Sequence, residues 1–159
     1  MKIEIEELVN KYSKMVFQIA YQNCFIKSNA EDVTQEVIIK LWKNAEKLKT
    51  EEHIKSWLIR VTINASIDSN RYYKNKKETT LEEKENFYFE KEFQGLLEEL
   101  KKLKPISRNI IYLYYYQGYK IKEISKILKI NANTVSTNLT RAKKELKNIL
   151  GEGGENYEV

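Results

Sequence analysis

Cysteine, histidine, proline and glycine are all scarce in this chain, and each shortage closes off a class of protein. Cys24 is the only cysteine and His53 the only histidine. No disulfide can form within the chain, and no site built from cysteine and histidine has enough ligands for a metal. With no paired acidic motif to replace them, neither a metal nor a cofactor is expected. There is no glycine-rich loop to cradle a phosphate, and no nucleophile–base pair, so the chain does not read as an enzyme. It has no run of ~18 apolar residues, so no membrane-spanning helix is expected. The opening M-K-I-E-I-E-E has no apolar core of the kind a signal peptide needs. A cytoplasmic protein with no membrane partner is the expectation.

What fills the space is lysine, glutamate, leucine and isoleucine. These are good helix formers or good helix cores, and one proline in 159 residues does little to interrupt them. The chain reads as all-α. Its net charge of +5 is unevenly placed. Residues 1–77 hold 14 basic and 10 acidic side chains, residues 78–92 two and six, residues 93–150 twelve and four, and residues 151–159 none and three. Two basic blocks are thus separated by an acidic segment, which points to a polyanion partner. Only four of the 28 basic residues are arginine. Together with the abundance of asparagine, isoleucine and tyrosine, that reflects an AT-rich coding bias.

Residues 4 to about 25 place Leu8, Tyr12, Met15, Val16, Ile19, Ala20 and Cys24 at helical spacing, so Cys24 reads as a buried thiol. Ser28 followed by Glu31 has the form of a capping box, which predicts a second helix from about Asn29 to Ala45. Val33, Val37, Ile38, Leu41 and Ala45 can face a core. Asp32, Gln35, Glu36, Ile39 and Lys43 share another side, either a solvated face or a surface for a protein partner. Residues 46–52 read as a loop. A third helix is predicted from about His53 to Lys74, with Ile54, Trp57, Leu58, Val61 and Ala65 inward and Arg60, Asn64, Ile67 and Arg71 on another side. It ends R-Y-Y-K-N-K-K. Cations interleaved with aromatics suit nucleic acid by charge and stacking, although cations also simply favour a helix C-terminus.

Residues 78–92 read as a linker, acidic and weakly periodic, with an apolar cluster at Phe87-Tyr88-Phe89. Four helices then follow in residues 93–150. Phe93, Leu96, Leu97, Leu100 and Leu103 mark the first, and Pro105 breaks it. The next spans Ile106 to Gln117 and stops at Gly118. The last two form a helix-turn-helix pattern. Ile121, Ile124, Ile127 and Leu128 line one helix, a turn lies at Lys129-Ile130-Asn131, and Val135, Leu139, Ala142 and Leu146 line the helix from about Asn133. That helix carries Asn133, Thr134, Ser136, Thr137, Thr140 and Arg141, residue types that bond base edges or phosphates. It continues into Lys143, Lys144 and Lys147. An ordinary helical hairpin would share the apolar pattern but has no need of that polar face. Residues 151–159 read as a flexible acidic tail.

Three stretches occur in a telling order: A-E-D-V-T-Q-E-V-I-I-K-L-W at 30–42, S-W-L-I-R-V-T-I-N-A-S-I-D at 56–68, and Y-K-I-K-E-I-S-K-I-L-K-I-N-A-N-T-V-S-T-N-L-T-R-A-K-K-E-L at 119–146. Together they resemble the small, two-domain extracytoplasmic-function group of bacterial RNA polymerase sigma factors, over about residues 5–150. The resemblance implies two small helical domains, residues 1–77 and 93–150, joined by the acidic linker. It implies that Asp32, Gln35, Glu36 and Ile39 grip the clamp helices of core RNA polymerase. Trp57, Arg60, Asn64, Asp68, Arg71, Tyr72 and Lys74 would meet the minus-ten promoter element. The loop at 46–53 would shape a pocket for a base flipped from the melted strand. Asn133, Thr134, Ser136, Thr137, Asn138, Thr140, Arg141 and Lys144 would read the minus-thirty-five element as duplex. An anti-sigma factor is an implied partner. The chain also departs from the family pattern. Lysine stands at position 129 where the turn glycine is usual, and Asn133-Thr134-Val135 replaces Gly-Thr-Val at the start of the reading helix. Two rival readings are a stand-alone helix-turn-helix regulator and a sigma-like polymerase adaptor without promoter choice.

Overall fold

The computed structural model describes the backbone of residues 4–76 and 91–150, and the side chains of those ranges except at 73–76, 92 and 147–150. Every regular element among these residues is helical. The chain divides into two compact units, residues 1–85 and 86–159. The linker residues 78–90, the Phe87-Tyr88-Phe89 cluster and the tail 151–159 lie outside the described residues.

In the first unit α1 (Ile5–Cys24), α2 (Lys27–Asn44) and α3 (Glu51–Lys76) pack on one another. The apolar stripe of α1 is buried as its spacing predicts, Cys24 included. The helix stops at Phe25, which adopts a left-handed conformation (φ 57°) and donates its N–H to the Tyr21 carbonyl at 2.7 Å. This tight exit overturns one sequence expectation. The chain re-enters helix at Lys27, with Ile26 as N-cap and no side-chain cap. Ser28 therefore lies exposed inside the first turn of α2, and the Ser28–Glu31 capping box does not form. Glu31 pairs with Lys27 instead, at 3.8 Å.

The segment read as a loop is shorter than predicted. Ala45–Lys47 form a single 3₁₀ turn, Leu48 is buried, and Thr50 caps α3. The Thr50 hydroxyl accepts the His53 N–H at 3.1 Å, and its carbonyl accepts that of Ile54 at 3.0 Å. The helix thus starts at Glu51, where two glutamates also complement the helix dipole. A second tie is the Lys11–Glu51 ion pair at 2.5 Å, which links α1 to this same turn. The inward stripe of α3 needs correction too. Ile54, Leu58, Ile59, Thr62, Ile63, Ala65 and Ser66 are buried, while Trp57 and Val61 are only half-buried. Both α1 and α2 pack on α3, so its buried arc is broader than one apolar stripe. Thr62 and Ser66 enter it because their hydroxyls bond back to the Leu58 and Thr62 carbonyls, at 2.5 and 2.7 Å.

In the second unit α4 (Lys91–Leu100) begins inside the expected linker, and Pro105 opens α5 (Pro105–Ile111) from its first turn. Arg108 organises the corner between them. It is 8% exposed, and its guanidinium donates to the Leu100 and Leu103 carbonyls at 3.1 and 3.0 Å. Burial holds its pKa below the usual arginine value. The helix expected to run to Gln117 widens over Tyr112–Tyr116 into a π-helical turn, where the Gln117 N–H reaches the Tyr112 carbonyl. Tyr112 is fully buried, stacks with Tyr116 at 5.3 Å between ring centroids, and accepts a bond from the Gln117 amide at 3.0 Å. Gly118, at φ 77°, ends the turn as its residue type predicts.

Candidate partner and nucleic-acid interfaces

The helix-turn-helix is built from α6 (Ile121–Leu128) and α7 (Ala132–Leu150). Glu123 accepts the Lys120 N–H at 2.9 Å and so starts α6. Lys129 ends it in the left-handed region, φ 57° and ψ 45°. A lysine there costs about 1 kcal/mol relative to glycine. The turn offsets this cost with two bonds. The Ile130 N–H reaches the Ser125 carbonyl at 3.1 Å, and the Ser125 hydroxyl donates to the Ile130 carbonyl at 2.5 Å. The turn therefore keeps its left-handed geometry without the glycine. Asn131 then caps α7, its side-chain oxygen accepting the Asn133 N–H at 2.7 Å.

Val135, Leu139, Ala142 and Leu146 are buried, and about 100° of rotation per residue sets the opposite stripe. That stripe is Asn133, Ser136, Thr137, Thr140, Arg141 and Lys144, all exposed. Two of the predicted residues sit to its side. Thr134 is exposed on the flank, and Asn138 is half-buried with its amide bonded to the Thr134 carbonyl at 2.8 Å. Lys143 is half-buried with its ammonium 5.9 Å from the Tyr114 ring centroid, so it belongs partly to the unit's packing.

In the first unit α2 places Asp32, Gln35, Glu36 and Ile39 together on its outward side, all exposed. Ile39 is 55% exposed, and Trp42, one turn further on, is 54% exposed. Two large apolar side chains left in solvent beside two carboxylates are unusual for a merely solvated face. Sequence reasoning assigned Trp42 no role, although its position three residues after Ile39 was a usable signal.

On α3 the outward side holds Trp57, Arg60, Asn64, Asp68 and Arg71, from half-buried to exposed. Trp57, expected inward by its apolar character, lies on this side because the buried arc is turned away from it. Tyr72 is 52% exposed near the end of the helix. The Lys74 side chain lies outside those described.

The 46–53 segment does border a cavity of about 650 Å³, lined by Ile5, Leu8, Trp42, Ala45, Leu48 and Ile54 with Glu4, Glu6, Glu46 and Lys49. No residue of the Trp57–Arg71 face lines it, so the loop opens this cavity toward α1. Among the described residues no cluster of histidine, cysteine, aspartate or glutamate could hold a metal, and no helix is long and apolar enough to cross a membrane.

Comparison with known proteins places each unit in turn. Residues 8–77 match the family model Sigma-70 region 2, and residues 93–146 match Sigma-70, region 4. The chain is 28% identical to the RNA polymerase sigma factor SigV of Bacillus subtilis (strain 168), covering 87% of this chain and 86% of SigV. It is 26% identical to the ECF RNA polymerase sigma factor SigW of the same organism, covering 91% and 87%. Among solved structures, the sigma factor RpoE in complex with the anti-sigma factor NepR from Bartonella quintana shares the fold. Its TM-score is 0.75 at 18% identity, over 91% of this chain and 95% of that one. CnrH in complex with the cytosolic domain of CnrY does so with a TM-score of 0.69 at 20% identity, over 92% and 86%.

Proposed function

Because the chain belongs to the sigma-70 family of RNA polymerase sigma factors, in its extracytoplasmic-function group, we propose how its faces divide the work. A protein of this family binds core RNA polymerase and directs it to promoters. Here the α2 face of Asp32, Gln35, Glu36 and Ile39 grips the polymerase clamp helices, and Trp42 extends the grip. The apolar pair anchors the contact, while the carboxylates set its orientation and speed its formation. The α3 face of Trp57, Arg60, Asn64, Asp68, Arg71, Tyr72 and Lys74 meets the minus-ten element. Its cations draw the backbone, and Trp57 and Tyr72 offer rings on which unpaired bases stack. The exposed stripe of α7 reads the minus-thirty-five element in the major groove. The chain performs no covalent chemistry, since polymerase makes the RNA, and it works in the cytoplasm, where polymerase and promoters are. RpoE was solved in complex with the anti-sigma factor NepR, which supports an anti-sigma factor for this chain as well.

The observation that carries this reading is the exposure of Ile39 and Trp42 beside Asp32 and Glu36, a face that needs a partner. The test mixes the full chain with core polymerase and measures promoter-dependent transcription, with DNA binding by the chain alone alongside. Initiation that needs both components is expected. Tight specific duplex binding without polymerase would favour a stand-alone regulator. Polymerase binding without initiation would leave an adaptor.

A further inference from the structure

The base-reading end of α7 carries no cation. In helix-turn-helix docking, the N-terminal residues of the second helix meet the base edges. Here residues 132–140 read A-N-T-V-S-T-N-L-T, and the first positive charge on the exposed stripe is Arg141. Two polar side chains of this segment are spent inside the helix. The Asn138 amide donates to the Thr134 carbonyl, and the Thr140 hydroxyl donates to the Ser136 carbonyl at 2.9 Å. Asn133 is placed differently. Its N–H is held by Asn131, which fixes the helix start, while its exposed carboxamide has no hydrogen-bond partner among the described residues.

The chemistry of the base pairs then discriminates. Guanine shows two acceptors in the major groove and is matched by arginine or lysine. Adenine shows a donor and an acceptor and is matched by a carboxamide. Thymine adds a methyl group that a threonine methyl can cover. The first two turns of α7 offer the carboxamide and the threonine methyls but no guanidinium and no ammonium. Asn133 and Thr137 are four residues apart, about 6 Å along the axis, or about two base pairs at ~3.4 Å each. Arg141 lies about 12 Å from Asn133, roughly three to four pairs away.

We infer that the first two turns of α7 select A·T pairs in the upstream promoter element, with Asn133 as the adenine-specifying residue and Thr137 against a thymine methyl about two pairs away. Guanine selection is confined to the pair facing Arg141. This rests on the reading of α7 as the upstream-element helix and adds the base class to it.

The test uses the full chain assembled with core RNA polymerase. It selects promoter fragments randomised across the upstream element by binding and by transcription. The parent is expected to enrich A·T at two positions about two pairs apart. Asn133→Gln keeps the adenine preference, Asn133→Ala flattens it at that position, and Asn133→Arg moves it to guanine by about tenfold. The position is exposed and the cap belongs to Asn131, so circular dichroism of all variants should match the parent. G·C enriched by the parent at those two positions, with selection otherwise intact, overturns the inference alone. So does an adenine preference that survives Asn133→Ala and Asn133→Arg. Absence of any polymerase-dependent selection overturns the promoter reading and the inference with it.

Discussion

Replacing Arg108 with methionine should destabilise the second unit while leaving the first unchanged. The guanidinium holds the Leu100 and Leu103 carbonyls where α4 ends and α5 begins. Methionine fills much the same volume but bonds neither, so the buried Leu103 carbonyl loses its guanidinium donor and the Leu100 carbonyl keeps only the Leu103 N–H at 3.1 Å. Each bond from a charged group contributes about 1.5–3 kcal/mol. The variant also escapes the desolvation that depresses the arginine's pKa, which returns part of this. The net loss expected is roughly 2–3 kcal/mol. For a unit of this size, with a urea slope near 1 kcal/mol per molar, the midpoint would fall by about 2 M. The molecule supplies its own probes. Both tryptophans, Trp42 and Trp57, lie in the first unit, whereas Tyr112 and Tyr116 stack in the second. Urea titration should therefore leave the tryptophan fluorescence transition in place and lower the midpoint of the second unit's share of the tyrosine near-ultraviolet signal, the rest of which follows Tyr12 and Tyr21 of the first unit. An unchanged tyrosine midpoint would refute the clasp. An equal fall in both signals would refute its confinement to one unit.

Three further outcomes follow from the same geometry. Reversing charge at both Asp32 and Glu36 to lysine should weaken binding to core polymerase at least tenfold, or about 1.4 kcal/mol, with helix content unchanged; equal affinity for parent and variant would remove the α2 face from the grip. Lys129→Gly should relieve the left-handed strain, about 1 kcal/mol, but loses part of that to the freer unfolded chain. A rise of a few tenths of a kcal/mol in the second unit's stability is expected, and a clear loss would contradict the strain argument. Burial pushes the Cys24 thiol up from 9.0 to about 11, against weaker hydrogen bonds from Ser66 and Ser69. A thiol raised in the folded state adds stability that is fully present below pH 9 and lost as pH climbs through about 11. The loss is of order 2–3 kcal/mol. Cys24→Ala should show a shallower alkaline decline in the first unit's unfolding midpoint, and parallel curves would exclude the thiol as its cause.

Much of this molecule was legible in the order of its residues. Spacing of 3.6 placed Leu8 to Cys24 on one face of α1 and Val135 to Leu146 on one face of α7, because a helix can bury its apolar side chains only as a stripe. Gly118 marked a stop since glycine alone takes a positive φ without strain. The positions of the α2 face, Asp32 to Ile39, followed from the same rotation once Val33, Val37 and Leu41 were set inward.

Other features depended on neighbours distant in sequence. Ser28 and Glu31 had the composition of a capping box, but the left-handed exit at Phe25 started α2 two residues sooner and left the box unused. Trp57 looked like core until α1 and α2 together chose a wide arc of α3 and turned it outward. Arg108 gave no sign of being a buried cap, since its acceptors are carbonyls supplied by the fold and invisible in side-chain chemistry. Helical rotation and side-chain polarity set in advance which residues could lie on one face. Tertiary packing alone decided which of those faces stayed in solvent, because burial belongs to the contact between helices and to no single helix.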